Sequence, residues 1–171
     1  MLFLTAAFFA FPQRALQEPE HAPEGTRFGR SVLALSDLDD DGVREIAVGA
    51  PNADEKRGLV LVLSGKTQEI VATWSGPKTR LAFGHTIRPV QDVNGDGVDE
   101  VLVGFEFWER CELRSGKDGK LLHAFDRSWK DVIPFGDFDS DGGGDLLLTT
   151  GIRWEVRSGR DHFTHSKIMA W

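Results

Sequence analysis

Three short stretches gather oxygen-bearing side chains at one spacing. Asp37, Asp39, Asp41 and Glu45 surround Gly42. Asp92, Asn94, Asp96 and Glu100 surround Gly97, and Asp137, Asp139, Asp141 and Asp145 surround Gly142. All fit D-x-[DN]-x-D-G-x-x-[DE] without a gap. In a tight loop, positions one, three and five turn alternate side chains toward one centre, and glycine at position six permits the sharp bend. Position seven (Val43, Val98 and Gly143) offers a backbone carbonyl, and position nine returns a carboxylate. Calcium is a hard cation taking about six to eight oxygens at flexible geometry. With no thiolate or imidazole, the set disfavours zinc and copper. The expected cofactor is Ca²⁺, up to three structural ions. An EF-hand would need a glutamate at position twelve and flanking helices. Position twelve here is Val48, Val103 and Leu148, each within an apolar run, so that reading is rejected.

The loops belong to a longer repeat. Their starts lie 55 and then 45 residues apart. Each is followed by an apolar run and, downstream, by a Ser-Gly-basic turn: Ser64-Gly65-Lys66, Ser115-Gly116-Lys117 and Ser158-Gly159-Arg160. Phe28-Gly29 and Phe83-Gly84 stand nine residues before the first two loops, whereas the third copy has Ser128-Trp129 there. Such a period suits four short antiparallel strands, the blade of a β-propeller. The spacing predicts strands over 31–35, 45–49, 59–63 and 69–74 in the first copy. The expected fold is all-β: three four-stranded antiparallel blades forming a partial, open or fragmentary, β-propeller. The expected domains are blade one over 27–80, blade two over 81–127 and blade three over 128–171.

Charge sets further bounds. Twenty Lys and Arg against 27 Asp and Glu give a formal charge of −7, which argues against nucleic-acid binding. Eleven of the twelve proposed side-chain ligands are carboxylates; without them the charge would be +4. If ligand charge dominates, the second loop, with Asn94, is the weakest site. The single cysteine, Cys111, excludes an intrachain disulfide framework. No apolar run is long enough for a membrane-spanning helix. Residues 1–16, with the apolar run from Leu2 to Phe11, are read as a candidate signal peptide, a buried first strand being the alternative. Residues 17–26 read as a polar linker.

Other chemistry finds little support. Gly65-Lys66-Thr67 lacks the glycine a phosphate-binding loop needs, since position 60 is valine. His162 and His165 fall on opposite faces of a strand. Cys111 reads as a small buried apolar residue. Trp74, Trp108, Trp129, Trp154 and Trp171 read as packing between blades, or as an aromatic platform for glycans or partners. The basic residues of the Ser-Gly-basic turns read as keeping hairpins soluble. No catalytic constellation emerges, so no enzyme is expected.

Phe28-Gly29, the loop from Asp37 to Glu45 and Gly49-Ala50-Pro51 together resemble the FG-GAP repeats of integrin α-subunit β-propellers. Copy two keeps Phe83-Gly84 and the acidic loop but has Gly104-Phe105-Glu106 for the Gly-Ala-Pro element; copy three keeps the loop and Thr150-Gly151-Ile152. The resemblance implies a calcium-bearing, non-catalytic propeller acting outside the cell in adhesion or ligand contact, with a protein or glycan partner. The alternative is a non-catalytic accessory module or fragment of a larger extracellular enzyme. Either places the chain as secreted or in the cell envelope or periplasm. Complete integrin-type propellers have more blades, so a homo-oligomer or further blades are expected to complete a ring.

Overall fold

In a computed structural model, the structure describes residues 25–78, 81–106, 110–125, 129–160 and 163, and the backbone of 166–167. The candidate signal at 1–16, nearly all of the 17–26 linker, and Trp108, His162, His165 and Trp171 lie outside the described residues.

The regular structure of the described residues is almost wholly strand, joined by turns and loops. β1 (Ser31–Ala34), β2 (Ile46–Ala50), β3 (Leu59–Leu63) and β4 (Ile70–Ser75) form one sheet in that order. β5 (Thr86–Val90), β6 (Glu100–Gly104), β7 (Cys111–Arg114) and β8 (Leu121–Phe125) form the second. β9 (Asp131–Gly136), β10 (Asp145–Thr149), β11 (Trp154–Arg157) and β12 (Ser166–Lys167) form the third. Every pairing is antiparallel. The expected all-β chain of three such sheets is therefore present, with strand bounds within a residue of those expected in the first copy. Ala53–Lys56 is a turn rather than a helix, since Asp54 and Glu55 have φ of 49° and 54°.

The sequence explains which strands are central. β3 reads Leu-Val-Leu-Val-Leu and β6 reads Glu-Val-Leu-Val-Gly, without polar alternation, because both faces are covered. Pro89 and Pro134 fall in β5 and β9, each the edge strand of its sheet, where a missing N–H costs no ladder bond.

Neighbouring sheets pack face to face over two cores. Ala47, Val60, Val62 and Trp74 of the first sheet meet Ile87, Val101, Val103 and Phe105, with Phe83 between them. The opposite face of the second sheet (Val90, Leu102, Leu113 and Phe125) meets Val132, Leu146 and Leu148 of the third. The first strands line up, β1 against β5 and β5 against β9. The Phe-Gly corner makes the first joint. Phe83 N–H donates to Arg57 O at 2.9 Å, and Ser31 Oγ donates to Gly84 O at 2.8 Å. A Cβ on Gly49 would stand 2.0 Å from Gly84 O, so these backbones touch only because both residues are glycine. Trp74 is buried in the first core, Trp129 packs on the second, and Trp154 is exposed. No helix among the described residues is long and apolar enough to cross a membrane.

Candidate metal centres

Each acidic loop joins the first two strands of its sheet and folds around its own carboxylates. At position one, Asp37 accepts hydrogen bonds from the N–H groups of Asp41 (3.2 Å) and Gly42 (2.8 Å). Asp92 accepts from Gly95 (2.6 Å) and Gly97 (2.9 Å), and Asp137 from Asp141 and Gly142, both at 3.0 Å. Position three (Asp39, Asn94 and Asp139) accepts from the N–H two residues on at 3.2, 2.8 and 3.2 Å. Position five (Asp41, Asp96 and Asp141) accepts from Val43, Val98 and Gly143 at 2.8, 3.0 and 2.8 Å. These Asx-type turns curl the chain so that side-chain oxygens converge. The glycine at position six is left-handed each time, with φ of 86°, 84° and 84°.

Position nine closes the loop from below. Glu45, Glu100 and Asp145 are each only 1% exposed. Each accepts from the N–H at position two: Leu38 at 2.5 Å, Val93 at 2.7 Å and Phe138 at 2.7 Å. Burial pushes the Glu100 carboxyl up to about 7, with Asp92, Asp96 and Asp99 adding to the rise. Burial likewise raises Asp145. Asp141 is held low, chiefly by the Ser158 hydroxyl. Buried carboxylates of this kind are costly unless a cation or donors meet them. Glu45 Oε1 has no hydrogen-bond partner although it is fully buried.

The oxygens gather as the spacing expects, though not identically. Asp37, Asp39 and Asp41 bring ligand atoms within 4.8 Å of one another; so do Asp92, Asp96 and Glu100, and Asp137, Asp139 and Asp145. Asn94 turns its amide nitrogen inward, donating to Glu100 Oε1 at 2.7 Å and Asp96 Oδ2 at 3.3 Å. Asp141 instead accepts from Ser158 Oγ at 2.7 Å. The converging carboxylate oxygens of each loop and the orphaned Glu45 oxygen fit a hard divalent cation.

The role of the Ser-Gly-basic turns was not legible beforehand. They pack against the loops rather than standing in solvent alone. Lys66 Nζ lies 3.8 Å from Asp41 Oδ2 and 3.3 Å from Asp41 O. Gly159 N–H donates to Asp145 Oδ1 at 3.2 Å, and Arg160 Nη2 donates to Gly142 O at 2.9 Å. The one signal available was their recurrence at a constant place in each copy. Cys111 is buried, and that burial, with Asp131 adding to it, pushes the thiol up to about 12. It is inert packing, as its place in the sequence suggested.

The FG-GAP repeat family matches residues 28–63, from the first Phe-Gly corner to the end of β3. The chain is 33% identical over 87 residues to integrin alpha-V of Gallus gallus, 46% of this chain and 8% of that protein. It is 39% identical over 87 residues to integrin alpha pat-2 of Caenorhabditis briggsae, 46% of this chain and 7% of the relative. It is 30% identical over 107 residues to integrin alpha-4 of Xenopus laevis, 58% of this chain and 10% of the relative. The chain thus spans a tenth or less of the length of these relatives. With the Phe-Gly corner, the acidic loop and the four-stranded sheet all in place, residues 28–63 form a match to one FG-GAP repeat, and the chain is similar over part of its length to integrin α-subunits.

Proposed function

We propose that this chain is a non-catalytic, calcium-stabilised interaction module that works outside the cell, its three sheets being successive blades of a β-propeller. The alignment of β1, β5 and β9 supports the blade reading, since first strands line the axis of a propeller. The observation that carries the calcium reading is the recurrence of one loop geometry three times over a buried acid, with Glu45 Oε1 left unpartnered beneath the first. In this reading the ligands are Asp37, Asp39, Asp41, Val43 O and Glu45; Asp92, Asn94, Asp96, Val98 O and Glu100; and Asp137, Asp139, Asp141, Gly143 O and Asp145. A bound ion neutralises the carboxylates and ties each loop's start to its return. The chain's own part is to hold the oxygens ready through backbone N–H donors. At roughly 1 mM Ca²⁺ and a Kd of about 10⁻⁴ M, each site adds about 1.4 kcal/mol. Thermal melting with Ca²⁺ and with excess EGTA tests this: the melting temperature falls in EGTA, and an unchanged temperature overturns the reading.

The interaction surface is the outer face of the third sheet. Phe135, Leu147, Thr149, Trp154 and Val156 line an open apolar hollow there. Phe135 is 44% and Trp154 is 37% exposed. In the first two sheets the corresponding face, with Ala47 and Val62 or Leu102 and Leu113, is covered by the next sheet. The occupant that fits is therefore another sheet of this repeat, supplied by a second copy of the chain. Light scattering then shows concentration-dependent association that Trp154→Asp abolishes. A wild-type chain monomeric at every concentration contradicts this assignment.

A further inference from the structure

Arg160 stands where two acidic loops meet. Its Nη2 donates to Gly142 O in the third loop at 2.9 Å. Its stem crosses Gly143, where an added Cβ would lie 2.7 Å from Arg160 Cγ. Its other guanidinium nitrogen reaches the second loop, for a Cβ on Gly95 would lie 2.8 Å from Arg160 Nη1. One side chain thus touches the acidic loops of two neighbouring sheets. At the first loop the positions are taken by lysines: Lys66 pairs with Asp41 of its own loop, and Lys117 of the second sheet lines the hollow beside Asp39 and Glu45. The chemistry matches the reach, since a guanidinium is planar, forked and permanently charged, whereas an ammonium is a single point charge.

We propose that Arg160 is a counter-cation built into the fold and shared by the second and third loops, which holds down the affinity of both for a divalent cation. The inference rests on the calcium reading above and deepens it. Without the ion, the guanidinium offsets part of the repulsion among close carboxylates. When the ion enters, the same positive charge opposes it. Removing the charge therefore has opposite effects on the two states, which loss of a merely structural contact would not produce.

The test compares wild type, Arg160→Gln, Arg160→Lys and Lys66→Gln by calorimetric titration with CaCl₂ in low salt, with circular dichroism to confirm the fold. Arg160→Gln tightens two of the three binding steps about three- to sevenfold, the scale of screened repulsion between a divalent ion and a nearby unit charge. In EGTA the same variant melts lower than wild type. Arg160→Lys keeps the charge but not the fork, and its binding falls between wild type and Arg160→Gln. Lys66→Gln tightens one step. The gain in Arg160→Gln shrinks in 0.5 M salt, about a 4 Å screening length. A folded Arg160→Gln with unchanged or weaker binding overturns the shared counter-cation. Wild type binding no calcium overturns the metal reading itself, which is a distinguishable result.

Discussion

Replacing Phe83 with alanine removes the side chain at the joint between the first two sheets. The ring is 0% exposed. It sits 5.5 Å from the Phe105 ring, and the Arg114 guanidinium lies 4.7 Å over its face. Truncating a buried phenylalanine costs about 3–5 kcal/mol, partly from lost transfer free energy and partly from the cavity left behind. The cation–π contact adds about 0.5–1 kcal/mol. The expected loss is about 4 kcal/mol, a large share of the roughly 5–15 kcal/mol that holds a domain folded. Urea unfolding followed by tryptophan fluorescence measures it, since Trp74 belongs to the same cluster. Phe28 is an internal control: it occupies the same place in the first Phe-Gly corner but is only partly buried. Phe28→Ala is expected to cost about 1–2 kcal/mol, in keeping with its smaller burial. Equal costs at the two positions, or a loss below about 1 kcal/mol at Phe83, would refute the view that this residue joins the sheets.

Three further outcomes follow from the same geometry. Gly58→Ala destabilises severely, because a Cβ would meet Phe83 O at 2.1 Å and Phe83 N at 2.3 Å from a φ of 85°; wild-type urea stability would contradict this. Asn94→Asp replaces an amide nitrogen that faces two carboxylate oxygens, and tightens the weakest calcium step on the order of tenfold in titration. His123 titrates below 6.5 by NMR, because burial and then Arg157 disfavour its charged form. The unfolded chain takes that proton first, so this residue's contribution is complete above about pH 6.5 and falls as the pH drops through that value. His123→Phe accordingly flattens the pH dependence of the urea midpoint between pH 7 and 5.5.

Local features were legible in the sequence, and features made by packing were not. The acidic loops stood out because each ligand position, and the glycine that lets the chain turn, is set by neighbours within nine residues. Strands such as Leu59–Leu63 were plain from an unbroken β-prone run. Glu45 was expected inside the second strand; its side chain turns back to Leu38 N–H, and the strand starts at Ile46. The residue at position four was missed: Asp40 and Ser140 are left-handed, with φ of 59° and 61°, which only the closed loop requires. Arg160 looked like a solubilising turn residue because its contact with the second loop spans some 65 residues of chain. Phe28 and Phe83 look alike in sequence, and only the approach of a neighbouring sheet distinguishes a half-covered ring from a buried one.

The most direct measurement is calorimetric titration of the metal-stripped chain with Ca²⁺, with Mg²⁺ as comparison. Three equivalents of Ca²⁺ are expected to bind, the weakest assigned to the loop of Asp92, Asn94, Asp96 and Glu100 by its selective tightening in Asn94→Asp. Absence of calcium heat from a folded chain, or binding that survives combined Asp37→Ala, Asp92→Ala and Asp137→Ala substitutions, would contradict it.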